Sequence, residues 1–222
     1  SSAASDVYKR QVELEFFKSM PEGIRKDAWF LTKVTMTGQE RNPETGRYPL
    51  LNWDDPATNQ KHPYWKKNIE SSDWVFNYDD GYYETKGISS ASGKTRMIFR
   101  YADILLLYAE AVAYGTKSIN DLAFDCMWRV QERAGVPLIS KDVTKEYFQK
   151  AVLDERRWET AGMEHSCMGR FFTMQRHEIL HLQKNYRDAA ELSLNPNLTL
   201  SEEFYYFPIP DNELLIVPGL KD

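Results

Sequence analysis

The spacing of apolar residues in the second half of the chain most constrains the fold. Residues 99–114 carry apolar side chains at i, i+3, i+4, i+7 and i+11, which is the spacing of one face of a helix. These residues are Tyr101, Ile104, Leu105, Tyr108 and Val112. The opposite face carries Ala102, Ala109 and Ala113, which are small enough to let a second helix approach closely.

A second helix is predicted after Gly115, which ends the first. Ser118 is predicted as its N-cap, with Asp121 in the first turn, and an apolar stripe continues as far as Gly135 and Pro137. The stripe consists of Ile119, Leu122, Ala123, Cys126, Met127 and Val130. The two helices together have about the size of one tetratricopeptide unit.

A third helix is predicted to begin after Thr144 as its cap and to end at Gly162. Phe148, Ala151, Val152 and Glu155 are expected to face inward. A fourth helix is predicted over roughly 170–183, so the helical part of the chain spans 99–183. The tail, 184–222, is expected to be extended because its prolines exclude helix interior.

The first half is expected to be rich in loops and short strands. Residues 1–11 show no apolar periodicity and are interpreted as a non-native or disordered leader. Residues 28–36 have the β-branched and aromatic bias of a strand. From Gln39 to about Ser92 the chain is dense in Pro, Gly, Asn and Asp, which break helices, so 12–98 is predicted as an irregular layer.

Charge and cysteine content exclude several classes of protein. The net charge of -5 argues against a nucleic-acid-binding face, because phosphate neutralisation needs clustered basic residues. No apolar run reaches the roughly 20 residues that a membrane span requires. Cys126 and Cys167 lack the spacing of a metal or redox motif and are expected to be buried thiols, although a single bridge between them remains open.

Four segments of the chain resemble a known family. They are RYADILLLYAEA at 100–111, RVQERAG at 129–135, AVLDERRWETA at 151–161 and YFPIP at 206–210. In this order they resemble the C-terminal half of the SusD/RagB family. Residues 167–176 keep Arg170, Phe171, Phe172 and Arg176 of the family pattern, but Thr173 stands where the family has Asp.

The resemblance implies a mainly α, SusD-like fold, with a tetratricopeptide-type helix pair, further helices and a layer of loops and short strands. It implies a non-catalytic protein that binds oligosaccharides at the outer-membrane cell surface and passes them to a SusC-like TonB-dependent transporter, without a cofactor. It also implies a truncated chain, because the lipid-anchored N-terminus and much of the helical block of the family are missing here.

The charged residues of the matching helices allow two interpretations. Arg100 and Asp103 flank the start of the first helix, and Glu155, Arg156 and Glu159 lie on the third. They could form a charged ligand site. Ion pairs between helices that hold the packing are the favoured interpretation, so these residues are not predicted to bind ligand.

Aromatic residues are unusually frequent, at 14%, and many lie in the loop-rich segment between Asn and Asp residues. Sugar recognition needs an apolar ring face for the C–H side of a pyranose and planar polar groups for its hydroxyls. The candidate glycan-binding residues are Trp53, Trp74, Tyr78, Tyr82, Asn77 and Asp79. The alternative is that half or more of the rings of this segment only anchor a region with little regular structure.

One motif favours a different function. His177, Glu178 and His181 fit HExxH, in which two His on one helix face bind zinc and Glu acts as general base. The third ligand would have to be Glu202 or Glu203. Because no GxxH continuation follows and short patterns match by chance, a zinc metallopeptidase is retained only as the alternative to glycan binding, and no metal site is predicted otherwise.

Overall fold

The computed structural model describes residues 12–35, 40–58, 62–66, 74–77, 82–85, 98–162, 171–182, 189, 205, 209–217 and 219. The predicted leader, 1–11, lies outside them. The chain divides into two compact units, Ser1–Cys167 and Met168–Asp222. The fold is mainly helical, as predicted, and within the described residues no helix has both the length and the hydrophobicity needed to cross a bilayer.

The first described elements of the first unit are two six-residue helices, α1 (Leu14–Ser19) and α2 (Ile24–Trp29). Neither is predicted, because six residues are too few to show a helical period. The strand predicted over 28–36 begins only after α2 ends. It is divided into β1 (Phe30–Leu31) and β2 (Lys33–Thr35).

The other strands are as short as the density of turn residues predicts. They are β3 (Leu50–Asn52), β4 (Tyr64–Trp65), β5 (Trp74–Asn77) and β6 (Tyr82–Thr85), and a 3₁₀ turn follows β3 at Pro56–Thr58. The described strands form three antiparallel pairs, β1 with β4, β2 with β3 and β5 with β6. Two-stranded pairs cannot form a core of their own, so the region depends on side-chain packing.

The three main helices are α3 (Tyr101–Ala113), α4 (Asp121–Ala134) and α5 (Lys145–Thr160). The alanine face of α3 packs in the core that these helices form. Of the larger stripe on α3, Tyr101, Ile104 and Tyr108 are 67%, 52% and 36% exposed, and only Leu105 and Val112 pack against the core. The helix was predicted correctly, but its most apolar face is the one that the core does not cover.

The ends of these helices follow from local hydrogen bonds. The N-cap of α4 is Asn120, whose side chain accepts a hydrogen bond from the Ala123 N–H at 2.9 Å, so the predicted cap at Ser118 is wrong. A cap must directly precede the first helical residue, and Ser118 lies two positions too early. Thr144 caps α5 as predicted, and Gly135 ends α4 with a left-handed φ of 69°.

The core of the three helices combines small and large apolar side chains. Phe148 and Val152 of α5 are fully buried, as predicted, together with Met127 of α4 and Ala109 of α3. Phe124 contacts Phe148 with ring centroids 4.8 Å apart. These contacts hold α5 against α3 and α4. The last two turns of α5 then face the region that contains α2.

In the second unit, residues 171–176 form a helix, α6, and residues 180–182 a 3₁₀ turn. This is shorter than the helix predicted over roughly 170–183. Residues Asp211–Ile216 form a six-residue helix, α7, within a tail that was expected to be extended. Pro210 precedes α7 as its N-cap, a place near the helix start where a missing N–H costs nothing.

Candidate functional site

Trp53 is the predicted site residue whose surroundings are best described. It follows β3, is half-buried, and packs edge-on against the Phe17 ring with centroids 5.9 Å apart at 81°. Its backbone N–H donates to the Thr32 carbonyl at 2.8 Å. Its carbonyl also accepts a hydrogen bond from the Thr58 hydroxyl at 3.0 Å. These hydrogen bonds and the ring contact hold Trp53 in place, while the residue remains partly exposed.

Three other predicted residues lie on the β5–β6 hairpin. The register places Asn77 opposite Tyr82, and Trp74 opposite Thr85 at the other end of the pair. Tyr78 and Asp79 lie outside the described residues. Trp53 follows β3, whereas Trp74, Asn77 and Tyr82 belong to β5 and β6. The predicted site residues therefore come from two different strand pairs.

An open pocket of about 230 Å³ is lined by Phe17, the ring that Trp53 contacts, while Trp53 itself is not one of its lining residues. Its apolar wall is formed by Phe17 and Phe30, whose rings meet edge-to-face with centroids 5.1 Å apart. Residues 31–33, from β1 to the start of β2, line another side. Phe17 therefore both contacts the Trp53 indole and lines the pocket.

Charged side chains line the rest of the pocket. Lys26 is buried and lies 4.5 Å from the centre of the Phe17 ring. Its ammonium donates to the Met20 carbonyl at 3.0 Å and to the Glu22 carboxylate at 2.5 Å. These partners compensate the cost of burying an ammonium group, so Lys26 is a fixed part of the wall.

Two further lysines, Lys33 and Lys66, line the pocket together with Asp27. The Lys66 ammonium donates to the backbone carbonyl of Asp27 at 3.3 Å. Sequence reasoning missed all of these residues. No local motif marks them, because they are brought together from α1, α2, the β1–β2 segment and the end of β4.

The pocket suits binding better than acid–base catalysis. Its two carboxylates are Glu22 and Asp27, both exposed, and Glu22 is paired with the Lys26 ammonium. A carboxyl that acts as a general acid needs an environment that favours its protonated form, usually an apolar one. An exposed, ion-paired carboxylate has the opposite environment.

The charged residues of the matching helices are engaged with one another. Glu159 of α5 is buried and accepts hydrogen bonds from Arg100 at 2.8 Å, Arg133 at 2.5 Å and Arg25 at 3.2 Å. Arg25, on α2, also pairs with buried Glu155. One turn of α5 thus connects to α2, α4 and the start of α3 through ion pairs.

Further pairs extend this arrangement. Arg156 pairs with Glu110 of α3, and Asp103 pairs with Arg100 at 2.7 Å. Burial raises the pKa of Glu155 above the ordinary carboxyl value, although the positive charge of Arg25 opposes the increase. The structure thus places Arg100, Glu155, Arg156 and Glu159 in ion pairs between elements, the interpretation favoured over a charged ligand site, while Asp103 pairs locally with Arg100.

The HExxH residues do not form the geometry of a zinc protease. Helix α6 ends at residue 176, and Glu178 has a left-handed φ of 55°, where a helix cannot continue. His177 and His181 therefore do not lie one turn apart on a continuous helix, which the motif requires. Among the described residues, no three His, Cys, Asp or Glu side chains are placed to hold a metal ion. Glu202 and Glu203 lie outside them.

Cys126 is a buried free thiol in the core of α3, α4 and α5, as predicted. Burial raises the pKa of its thiol, and nearby Asp125 raises it further. A raised pKa disfavours the reactive thiolate. Because Cys126 is a free thiol, the bridge that the sequence left open is not formed. Cys167 lies outside the described residues, so its burial stays a prediction.

Comparison with known proteins identifies the family. The model of the SusD family matches residues 18–222, and the chain belongs to that family. The SusD-like protein P25 of Formosa agariphila is 30% identical over 130 residues, which cover 57% of this chain and 23% of that protein.

The fold has a solved relative. The crystal structure of a SusD superfamily protein from Parabacteroides distasonis matches 94% of this chain with a TM-score of 0.59 and 18% identity. The match covers 40% of that chain, so the sequence spans less than half the length of both relatives.

Proposed function

We propose that this chain is part of a non-catalytic, cell-surface glycan-binding protein, which captures oligosaccharides at the outer membrane and passes them to a SusC-like TonB-dependent transporter. Family membership supports the general role in nutrient binding. The transporter as partner, and a lipid anchor as the means of surface attachment, are parts of the proposal that rest on the family resemblance.

The observation that carries the proposal is the position of Trp53. Its half-buried ring contacts Phe17, and Phe17 in turn lines an open pocket that combines aromatic walls with polar side chains. A pyranose presents C–H groups on one face and hydroxyls around its edge, so a ring beside polar groups is complementary to it. Asn77 and Tyr82, paired on the hairpin, are proposed as additional contacts, together with Trp74, Tyr78 and Asp79.

The proposal is tested by measuring binding and cleavage in the same samples. The chain is titrated with a panel of soluble polysaccharides by isothermal calorimetry, and each mixture is then analysed for new reducing ends. We expect saturable binding of at least one polysaccharide and no cleavage. Cleavage of the bound polysaccharide would contradict a non-catalytic role, and no binding across the panel would contradict the role in glycan capture.

A pair of variants distinguishes binding at the proposed site from nonspecific adsorption of the polysaccharide. Trp53→Ala removes the proposed stacking ring, and we expect it to weaken binding by about tenfold or more, since stacked rings contribute strongly at binding sites. Tyr147→Ala removes a ring on α5 that is 58% exposed and lies outside the proposed site. Equal losses in both variants would show that Trp53 has no special role.

A further inference from the structure

We propose that Phe17 is the positioning residue for Trp53. The Phe17 ring holds the indole in the orientation that stacks on the sugar, so Phe17 contributes to glycan affinity through Trp53. This inference rests on the proposed function, because it concerns how the stacking ring of that site is held. It is carried by contacts that run from buried Lys26 through Phe17 to Trp53.

The main chain and the side chain of Trp53 are held by different groups. The main-chain N–H donates to the Thr32 carbonyl, and the main-chain carbonyl accepts from the Thr58 hydroxyl. Neither bond restricts rotation about the side-chain torsions. Within the part of the chain that the structure describes, the indole N–H donates no hydrogen bond, and Phe17 is the one aromatic ring that the indole contacts. The orientation of the indole therefore depends on Phe17.

Phe17 is itself fixed by contacts that do not involve Trp53. Its N–H donates to the Glu13 carbonyl at 3.0 Å, at the start of α1. Its ring meets the ring of Phe30, which is buried in β1, at an interplanar angle of 84°. The Lys26 ammonium lies 4.5 Å from the centre of the same ring. The ring is thus supported from α2 and β1 as well as from its own helix.

Lys26 makes this support rigid. The residue is only 6% exposed, and its ammonium is tied to the Met20 carbonyl and to the Glu22 carboxylate. A cation near the face of an aromatic ring attracts its π electrons, and the attraction grows when water is excluded. Because Lys26 cannot move without losing its two partners, it keeps the Phe17 ring in one orientation before any ligand binds.

An indole that is already oriented binds a sugar more tightly than one that rotates freely. A side chain that becomes ordered only on binding loses conformational entropy at that moment, and this loss reduces the affinity. The edge-to-face contact with Phe17, at 81°, orients the indole while the residue remains partly exposed. Phe17 therefore raises the affinity by removing this cost in advance.

Neighbouring phenylalanines of α1 provide a matched pair of variants. Phe17→Leu removes the ring that contacts Trp53 and keeps an apolar side chain. Phe16→Leu makes the same change one residue earlier, where the ring contacts Phe30 and Trp65 instead. Phe16 is 8% exposed and Phe17 is half-buried, so thermal unfolding should show at least as large a loss of stability in Phe16→Leu. The pair thus separates lost stability from lost positioning.

The affinity of each variant is measured by calorimetry with dextran, laminarin, xylan and polygalacturonate, using those that the unaltered chain binds. We expect Phe17→Leu to weaken binding about fivefold, because the indole must then be ordered by the ligand. Phe16→Leu is expected to change the affinity by less than about twofold, because it leaves the contact between Phe17 and Trp53 in place.

A double variant tests whether Phe17 acts through Trp53. If it does, Phe17→Leu has nothing left to disturb once the indole is removed. The affinity of the double variant Trp53→Ala with Phe17→Leu should then equal that of Trp53→Ala alone. A further loss in the double variant would show that Phe17 contributes independently of the indole, and this would overturn the inference.

A measurement on the unaltered sequence does not depend on how the variants fold. Nuclear Overhauser contacts between the Phe17 and Trp53 rings are recorded in the free chain and with a saturating oligosaccharide cut from the polysaccharide that binds. We expect these contacts in both states, since the bound orientation is the one that Phe17 maintains. Their loss on binding would overturn the inference.

The outcomes also separate this inference from the proposed function. Equal losses of affinity in Phe17→Leu and Phe16→Leu would overturn the inference, and glycan capture would still be supported if Trp53→Ala weakens binding. Absence of binding to every polysaccharide of the panel would overturn both.

Discussion

Two regions of the first unit are built in different ways. The helical region, residues 101–160, buries small side chains such as Ala109 and large ones such as Phe148 in one core. The aromatic region, residues 12–66, consists of six-residue helices and two-stranded pairs joined by rings such as Phe17, Phe30 and Trp65. An open pocket occurs in the aromatic region.

The difference fits the proposal that the helical region is a frame and the aromatic region a binding surface. Helices that meet through alanines approach closely and exclude ligands, whereas edge-to-face rings on short elements leave grooves between them. The two regions are joined by the ion pairs of Arg25 with Glu155 and Glu159 and by Trp65 beside Gly162. The pocket is therefore held in place by contacts that lie outside it.

The largest expected effect comes from breaking the ion pairs that join the regions. Glu159→Ala leaves Arg25, Arg100 and Arg133 without a shared buried carboxylate, and we expect it to lower the free energy of unfolding by about 3 kcal/mol or more. The measurement is urea denaturation followed by circular dichroism. Glu132→Ala, at an exposed position of α4, is the control and should change little. Equal stability of both variants would contradict the role of Glu159.

A second prediction compares the two faces of α3. Ala109→Leu forces a larger side chain into the closed helix contact and should destabilise the protein by about 1–3 kcal/mol. Ile104→Ala, on the exposed face, should cost less than about 0.5 kcal/mol. Thermal unfolding of both variants checks the difference. A larger loss of stability in Ile104→Ala than in Ala109→Leu would show that the exposed stripe of α3 is covered.

A third prediction concerns the contact of Gly162 with Trp65. Gly162 has a φ of 64°, and an added Cβ would lie 2.7 Å from the Trp65 ring. Gly46 has a similar φ of 67° but open space around it. Gly46→Ala should therefore cost about 1 kcal/mol from backbone conformation alone, and Gly162→Ala should cost more, as measured by urea denaturation. Equal costs would mean that the Trp65 contact contributes nothing.

The smallest expected effect is on the pH dependence of stability. Burial raises the pKa of Glu155 in the folded protein, so the folded state holds its proton at pH values where the unfolded state has released it. The contribution of Glu155 to stability therefore falls as the pH rises above the ordinary carboxyl value of 4.5. Glu155→Gln should flatten this part of the stability–pH curve measured by urea denaturation.

Glu146 provides the matched control. It is exposed at the start of α5, and hydrogen bonds to the backbone and to Thr144 lower the pKa of its carboxyl group. A lowered pKa contributes stability that is lost as the pH falls, which is the opposite sign. Glu146→Gln should leave the decline above pH 4.5 unchanged, and loss of that decline in this variant would contradict its origin at Glu155.

The sequence predicted the helical region well because long helices repeat a pattern. The bounds of α3 and α5, the Thr144 cap and the inward positions of Phe148 and Val152 all follow from a period of 3.6 residues and from capping chemistry. The covered face of α3 could not be read from hydrophobicity. Alanines permit close helix contact, and which face is closed depends on tertiary partners.

The pocket lined by Phe17, Phe30 and three lysines could not be predicted, for a different reason. Lys26, Lys33 and Lys66 are brought together by α2, β2 and β4, and pairings of such short elements leave no periodic signal in the sequence. Trp53 was predicted as a site residue because a tryptophan between turn residues and Asn or Asp is informative by itself. Its contact with Phe17 required the structure.

The central claim is that ligand binds to the aromatic region while the helical region serves as its frame. Hydrogen exchange measured by mass spectrometry, with and without a saturating polysaccharide, tests this directly. We predict slower exchange in residues 12–66, above all in the segments that contain Lys33 and Trp53, and unchanged exchange in 121–160. Protection confined to the helices, or no protection in the aromatic region, would contradict the account.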